Sequence, residues 1–339
     1  MNNPLIGLLV IAIGSFGQSS SYVPIAKVKR WSWENFWLVQ GVFAWLVFPF
    51  AGLLVALPED ISLADVIFRA GSVDSIIYGI LWGVGGLTFG LSMRYLGVAL
   101  GQSVSLGTCS AFGTLLPALL AGTNLFDGDG LILLVGVLIT LVGISIIGYA
   151  GALRARSTGE QSGERSLGKG LAVALLAGVM SACFSLGLEA GAPVKAELMA
   201  GGVDPVIAGL PVIFLVACGG FVTNACYCIF QNVKNKTGGE IRRTGSFKML
   251  ANNLAFCALA GLLWYSQFFG LEVGKSFFGE APVLASFSWS ILMSLNVIFS
   301  NVWGIILKEW RGCSRKIIAT LVAGLLVLVV SIFFPSIFN

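Results

Sequence analysis

The sequence predicts an all-α polytopic membrane protein in which ten transmembrane helices form two inverted five-helix repeats. Three observations carry this prediction. Of 339 residues, 57% are hydrophobic and only 11% charged, with a mean hydropathy of +0.92. A soluble domain is nearer half apolar and a quarter charged. The apolar residues gather into ten runs, each near the ~20 residues a helix needs to cross ~30 Å of hydrocarbon. The charges sit in short segments between those runs. This composition excludes a disordered chain, a disulfide scaffold and a soluble enzyme with a peripheral anchor. A net charge of +4 scattered among loops is not a nucleic-acid patch.

The runs fall near 4–26, 35–57, 75–93, 96–122 and 131–151, then 169–190, 205–232, 250–272, 284–307 and 317–335. Backbone polar groups cannot go unpaired in lipid, so runs this long must be helices. They lack the short alternating pattern of barrel strands. The first run has no basic residue before it and a basic cluster after it, the reverse of a secretory signal peptide, so it is expected to persist in the mature protein. Trp31, Trp33, Trp37 and Trp310 flank run ends and are assigned to the interfacial aromatic belt. Gly83, Gly85, Gly86 and Gly90 in the third run, with Gly97, Gly101, Gly107 and Gly113 in or beside the fourth, suit close helix packing. Gly85-x-x-x-x-Gly90 lacks the Lys-Ser/Thr of a phosphate loop. No nucleotide-driven pump is encoded, so the work must come from a gradient.

Basic residues set the topology. Lys27, Lys29, Arg30, Arg94, Arg154, Arg156, Arg165 and Lys169 lie on one side, as do Lys234, Lys236, Arg242, Arg243, Lys248, Lys308, Arg311, Arg315 and Lys316. Only Arg69, Lys195 and Lys275 of the 20 basic residues remain for the other. The positive-inside rule makes the first side cytoplasmic and places both termini outside. The opposite loops are acidic: Glu59, Asp60, Asp65, Asp74, Asp127, Asp129, Glu197, Asp204 and Glu280. The seven cysteines fall in spans or on the cytoplasmic side, where disulfides are not expected. Cys226-x-Cys228 points to opposite helix faces, and with no His in the chain the thiols read as packing rather than metal ligands. No cofactor is expected.

Five runs precede the polar linker and five follow it, giving residues 1–152 as the first repeat, 153–168 as a cytoplasmic linker and 169–339 as the second. Because five is odd, the second half enters the membrane from the opposite side. Phe16 to Lys27 (FGQSSSYVPIAK) parallels Phe184 to Lys195 (FSLGLEAGAPVK), and Phe89-Gly90-Leu91-Ser92 parallels Phe269-Gly270-Leu271-Glu272. Inverted repeats supply the exchangeable halves of an alternating-access transporter, with its site near the midplane.

Charges at membrane depth are functional candidates by default. Glu189 and Glu272 stand among apolar residues near the outer ends of their runs and are the candidate proton-coupling groups, since a buried carboxyl holds its proton more readily. The plainer alternative is interfacial, with Glu272 pairing with Lys275 one turn on. Gln18, Tyr22, Gln102, Gln267 and Asn296 supply amide and hydroxyl partners for an uncharged polyol. Trp264 and Trp289 supply rings for its apolar face. Ser19, Ser20, Ser21, Ser103, Asn301, Trp82, Tyr265 and Phe268 belong to the same polar and aromatic set. Interhelical hydrogen bonding is the alternative for each amide.

Four stretches carry a family likeness: Tyr22 to Glu34 (YVPIAKVKRWSWE), Leu81 to Gly101 (LWGVGGLTFGLSMRYLGVALG), Gly261 to Phe269 (GLLWYSQFF) and Leu307 to Trp310 (LKEW). In order and over nearly the whole chain, the sequence resembles the bacterial L-rhamnose–proton symporter family of the drug/metabolite transporter superfamily. The resemblance implies ten helices in two inverted repeats and uptake of L-rhamnose or a related sugar with a proton. Glu189 and Glu272 match none of the four stretches.

The expected function is therefore import of a sugar with protons by one chain acting as a monomer. A drug or metabolite exporter on the same scaffold would favour an unpaired acid in an aromatic pocket, and the amide-rich set counts against it. A membrane-embedded enzyme acting on lipid-linked sugars would need acid clusters or metal ligands, and the chain has neither a D-x-x-D pair nor a histidine.

Overall fold

The computed structural model describes residues 3–58, 61–159, 167–279 and 281–338. Among the described residues there is no strand, and ten helices are long and apolar enough to cross a membrane. They are α1 (Pro4–Ile25), α2 (Trp33–Ala56), α3 (Ser72–Leu96), α4 (Val98–Leu120) and α5 (Gly128–Thr158), then α6 (Leu167–Ala200), α7 (Leu210–Asn235), α8 (Phe247–Ser276), α9 (Pro282–Ile306) and α10 (Arg315–Ile337). Each expected run meets one of them, and most ends shift by a few residues. Two extend further. α5 continues to Thr158, so the start of the expected linker is helical, with Arg156 in the last turn where a cation suits the negative helix end. α6 breaks at Gly191 and resumes as the short helix Ala192–Ala200. Glu59, Asp60, Arg165, Glu280 and residues 160–166 of the linker lie outside the described residues.

Local chemistry explains the ends. Asp127 begins α5 by accepting the Gly128 N–H at 2.8 Å, and Ser314 caps α10 through the Ile317 N–H. Between α2 and α3, the short helix Leu63–Ile67 has a capping box of Ser62 and Asp65. The carboxyl of Asp65 is held below its ordinary value by the Ser62 hydroxyl and then the Ser62 backbone N–H. Gly97, at φ 83°, makes the sharp passage from α3 to α4 that a side chain would resist.

The chain builds two compact units, each drawing on both halves of the sequence. The first comprises Met1–Leu8, Val84–Leu186 and Phe277–Asn339. Here α5 packs against α4 and α10, and α9 against all three, around Ile144, Ile147, Val297, Ile317, Leu321 and Leu328. Glycines permit the α5–α10 approach: a Cβ on Gly324 would stand 2.6 Å from Ile147 Cγ1, and one on Gly143 2.6 Å from Leu328 Cδ2. Small faces bring helices together where no hydrophobic force distinguishes helix from lipid.

The second unit comprises Leu9–Gly83 and Gly187–Ser276. Here α2 packs on α7 and α8, with Leu53, Val66, Val194, Leu198, Val212 and Leu215 in one cluster. The short helix Ala192–Ala200 is held in that cluster through Val194 and Leu198. Two irregularities mark this unit. α1 breaks at Ser21 before the short helix Tyr22–Ile25, and α2 contains a six-residue π segment, Val42–Val47.

Candidate functional site

The first unit holds a cavity of about 1040 Å³, lined by Gln102 and Ser103 of α4, Asn301 of α9, and Arg94, Arg154 and Trp310 at its basic end. Arg154 Nη1 lies 3.1 Å from Glu309 Oε2, and its guanidinium sits 5.4 Å from the Trp310 ring centroid. Trp310 is only 9% exposed, so it belongs to the packed wall of this unit and not to an interfacial belt. Deeper in the unit, the Ser290 hydroxyl lies 2.9 Å from that of Ser110 and 2.8 Å from that of Thr114. Trp289 stacks on Phe184 at 6.1 Å and donates its indole N–H to the Cys109 carbonyl at 3.2 Å, while Gly113 lies against the ring. Asn296, buried two turns after Trp289, shares its helix face. Gln102, Trp289 and Asn296 are thus parts of one unit.

In the second unit, four tryptophans form one cluster. The Trp45 ring meets Trp37, Trp82 and Trp264 edge-on at 5.8, 6.0 and 5.6 Å, and Trp82 lies 5.7 Å from Trp264. Phe268 closes against Trp264 at 5.2 Å. The π segment that carries Trp45 inserts an extra residue into the turn, and such insertions are frequent at functional sites. Trp37 donates to Asn224 Oδ1 at 3.2 Å, which corrects its assignment to the interfacial belt. Trp31 is likewise buried, donating to Thr244 Oγ1 at 2.9 Å, whereas Trp33 is half-exposed and stacks on Trp37. Trp45 Nε1, Gln40 Oε1 and the Tyr265 hydroxyl are buried with no hydrogen-bond partner. Buried polar groups normally find one, so these three depart from the rule inside the tryptophan-bearing unit. Gln267 is buried, and its amide donates to the Trp264 carbonyl at 3.2 Å. Gln18 is half-buried and accepts from the Ser19 hydroxyl at 3.3 Å, while Tyr22 is 59% exposed.

The two candidate acids also lie in this unit, and they differ. Glu272 is 5% exposed, lies against Gly209 and pairs with Lys195 of the short helix after Gly191. The side chain of Glu189 is 54% exposed and lies 3.9 Å from Lys275. The helical neighbour expected for Glu272, Lys275, is therefore engaged elsewhere. A third pair, Arg69 with Glu197, uses the last of the three cations on the acidic side. Among the described residues no group of three His, Cys, Asp or Glu could hold a metal ion, and the seven cysteines are free.

At its basic end the second unit is clamped by polar groups. Glu34 accepts from Thr237 Oγ1 at 2.6 Å and Asn235 Nδ2 at 3.0 Å. Glu240 accepts from the Ser32 N–H and hydroxyl and from Asn35 Nδ2, at 2.6, 2.8 and 2.8 Å. Burial pushes the Glu240 carboxyl up, but these three donors outweigh it and hold the group below its ordinary value. Asn253 bridges the backbone of Lys29 in both directions.

Sequence reasoning missed Lys195, Trp45 and Glu34. Lys195 reads as a loop cation, Trp45 as one more apolar residue in its run, and Glu34 as a run-end acid. Trp45 alone carried a signal, since tryptophan in mid-run is unusual away from the membrane interface.

The four stretches that carry the family likeness fall on these features: the clamp around Lys29, Trp31, Ser32 and Glu34, the ring of Trp82, the cluster around Trp264, and the Glu309–Trp310 turn. The family model for the L-rhamnose-proton symport protein matches residues 1–336. Curated relatives include the L-rhamnose-proton symporters of Yersinia pestis (strain Pestoides F) and Yersinia pseudotuberculosis serotype O:1b (strain IP 31758). Each is 32% identical over 341 residues, covering 98% of this chain and 97% of the relative. The symporter of Yersinia pestis bv. Antiqua (strain Antiqua) is 32% identical over 343 residues. This multi-pass chain of ten apolar helices belongs to the L-rhamnose-proton symport protein family.

Proposed function

We propose that this chain is a secondary active transporter that carries L-rhamnose, or a closely related sugar, inward with protons by alternating access. The observation that carries the reading is the family match over residues 1–336. The chemistry present suits it: a buried acid at Glu272, amides at Gln18, Gln102, Gln267 and Asn296, the Tyr22 hydroxyl, and aromatic faces at Trp264 and Trp289. Glu272 is the proton-coupling group in this reading, with Glu189 a second acid on the same side. One proton moving inward gains about 2.3 kcal/mol per 100 mV, enough for roughly 50-fold accumulation of a neutral sugar.

The protein acts in this reading as a monomer in the bacterial inner membrane with both termini outside, as the placement of its basic residues favours. Residues 1–152 and 169–339 act as inverted repeats joined by 153–168. In support, each of the two similar stretches ending at Lys27 and Lys195 spans a helix break, at Ser21 and Gly191. The deciding experiment is the sugar-evoked current of purified protein in sodium-free liposomes, with L-rhamnose, L-fucose, L-mannose and D-glucose at two pH values. A rhamnose current that grows with an inward proton gradient is expected. No current with any sugar from inserted, folded protein would overturn the reading.

A further inference from the structure

We infer that Lys195 is the counter-ion through which proton uptake by Glu272 releases the short helix Ala192–Ala200. The inference rests on the reading of Glu272 as the coupling acid and deepens it by naming the positioning residue that sets when that acid takes its proton.

Among the described residues, three ion pairs lie on the acidic side of the second unit, and one of them has a buried acid. The side chains of Glu189 and Glu197 are 54% and 59% exposed, against 6% for Glu272. A charge removed from water must be paired, and a nearby opposite charge favours the ionised carboxyl. Lys195 comes from 77 residues away in the chain to supply that charge, while Lys275, one turn along the same helix, is given to Glu189.

Two elements meet this stretch of α8 without bringing it a charge. Gly209, at the start of α7, presents backbone only. The segment of α1 that meets Gly270, around Val10 and Gly14, has no titratable side chain. Asp204, in the preceding loop, accepts from the Val206 N–H at 2.8 Å. Arg69 is paired with Glu197.

The element that carries Lys195 can respond. It begins after the break at Gly191, has Pro193 in its first turn, and ends at Gly201 before Gly202 at φ 91°. Its inner face, Val194 and Leu198, is seated against Leu53 of α2 and Val212 and Leu215 of α7. When a proton neutralises Glu272, Lys195 loses its partner and gains by turning towards water, and the helix it belongs to presses differently on α2 and α7. Recombination of the charges after proton release restores the seat. Proton binding and helix position are then two readouts of one equilibrium.

The test measures proton-driven L-rhamnose currents and L-rhamnose counterflow across pH in proteoliposomes, for wild type, Lys195→Gln, Lys195→Arg and the double variant Glu272→Gln/Lys195→Gln. In Lys195→Gln the alkaline limb of the current is expected to move from its wild-type position, because the carboxyl has lost its ion-pair partner. Lys195→Arg keeps the limb near wild type. The double variant loses the current and retains counterflow without the limb.

An unmoved limb in Lys195→Gln, or an equal shift in Lys195→Arg, overturns the inference. If Lys195→Gln fails to insert, the double variant decides, since it leaves no unpaired charge; a wild-type limb in its counterflow overturns the inference. A wild type with no pH-dependent rhamnose current removes the symport reading itself, and the inference with it. That outcome is distinct from a wild type that couples normally beside a variant that does not respond.

Discussion

Glu272 of α8 finds its ion-pair partner in Lys195 of the short helix that ends α6, and not in Lys275, its neighbour one turn along the same helix. Both acids singled out by the sequence are thus paired, one buried and one half in water, and their substitutions separate.

Glu272→Gln is expected to abolish uphill accumulation of L-rhamnose while leaving downhill exchange, because the neutral side chain imitates the protonated state. Glu189→Gln, at an exposed pair, should change the rate by less than about tenfold, in line with the small worth of solvent-screened ion pairs. Concentrative uptake by the variant lacking both carboxylates would exclude them as coupling groups.

The tryptophan cluster separates stability from binding. Trp37→Phe removes the donor to Asn224, a residue 4% exposed, and leaves a buried acceptor unpaired at a cost of about 1–3 kcal/mol. Trp45→Phe breaks no hydrogen bond within the chain, because the Trp45 Nε1 has no partner there. Thermal unfolding followed by fluorescence should show a lower Tm for the first and little change for the second. If the sugar takes the Trp45 N–H, Trp45→Phe raises the apparent KM about tenfold, equivalent to ~1.4 kcal/mol. An unchanged KM would remove Trp45 from the sugar path.

The Glu240 clamp predicts a pH-dependent contribution. Its carboxyl is held below the ordinary value in the folded protein by its Ser32 and Asn35 donors, which outweigh burial. The stabilisation is therefore fully present above the unfolded carboxyl value, about 4.3, and fades as pH falls through the depressed folded value. Glu240→Gln should lower Tm at neutral pH, with the gap from wild type closing in strong acid. A gap that widens on acidification would contradict the assignment.

At the basic end of the first unit, Arg154 contacts both Glu309 and the Trp310 ring. Glu309 is half-exposed, so Glu309→Gln should cost less than about 1 kcal/mol. Arg154→Ala loses the pair, a cation–π contact of about 0.5–1 kcal/mol and the packing of its stem. The second substitution should lower Tm more than the first. Equal effects would mean that the ring contact contributes nothing.

Much of this molecule was legible in one dimension. Ten spans and the isolation of Glu189 and Glu272 follow from the hydrophobicity and charge of consecutive residues, since crossing hydrocarbon imposes a length and a backbone pairing that no other part of the chain can supply. The four family-like stretches likewise fall where the structure places its polar clamp, its tryptophan cluster and its Arg154 contact. Partner choice was not legible. Helical spacing offers Lys275 to Glu272, but the partner depends on which helix stands opposite, and that is set by rotation and packing. Trp37 reads as an interfacial ring by position, yet it faces Asn224 and Trp45. Trp45 itself is turned by a π segment that interrupts the 3.6-residue period on which any face assignment depends. Local hydrophobicity fixes where the chain crosses; only the packing of helices distant in sequence decides which polar groups meet once it has crossed.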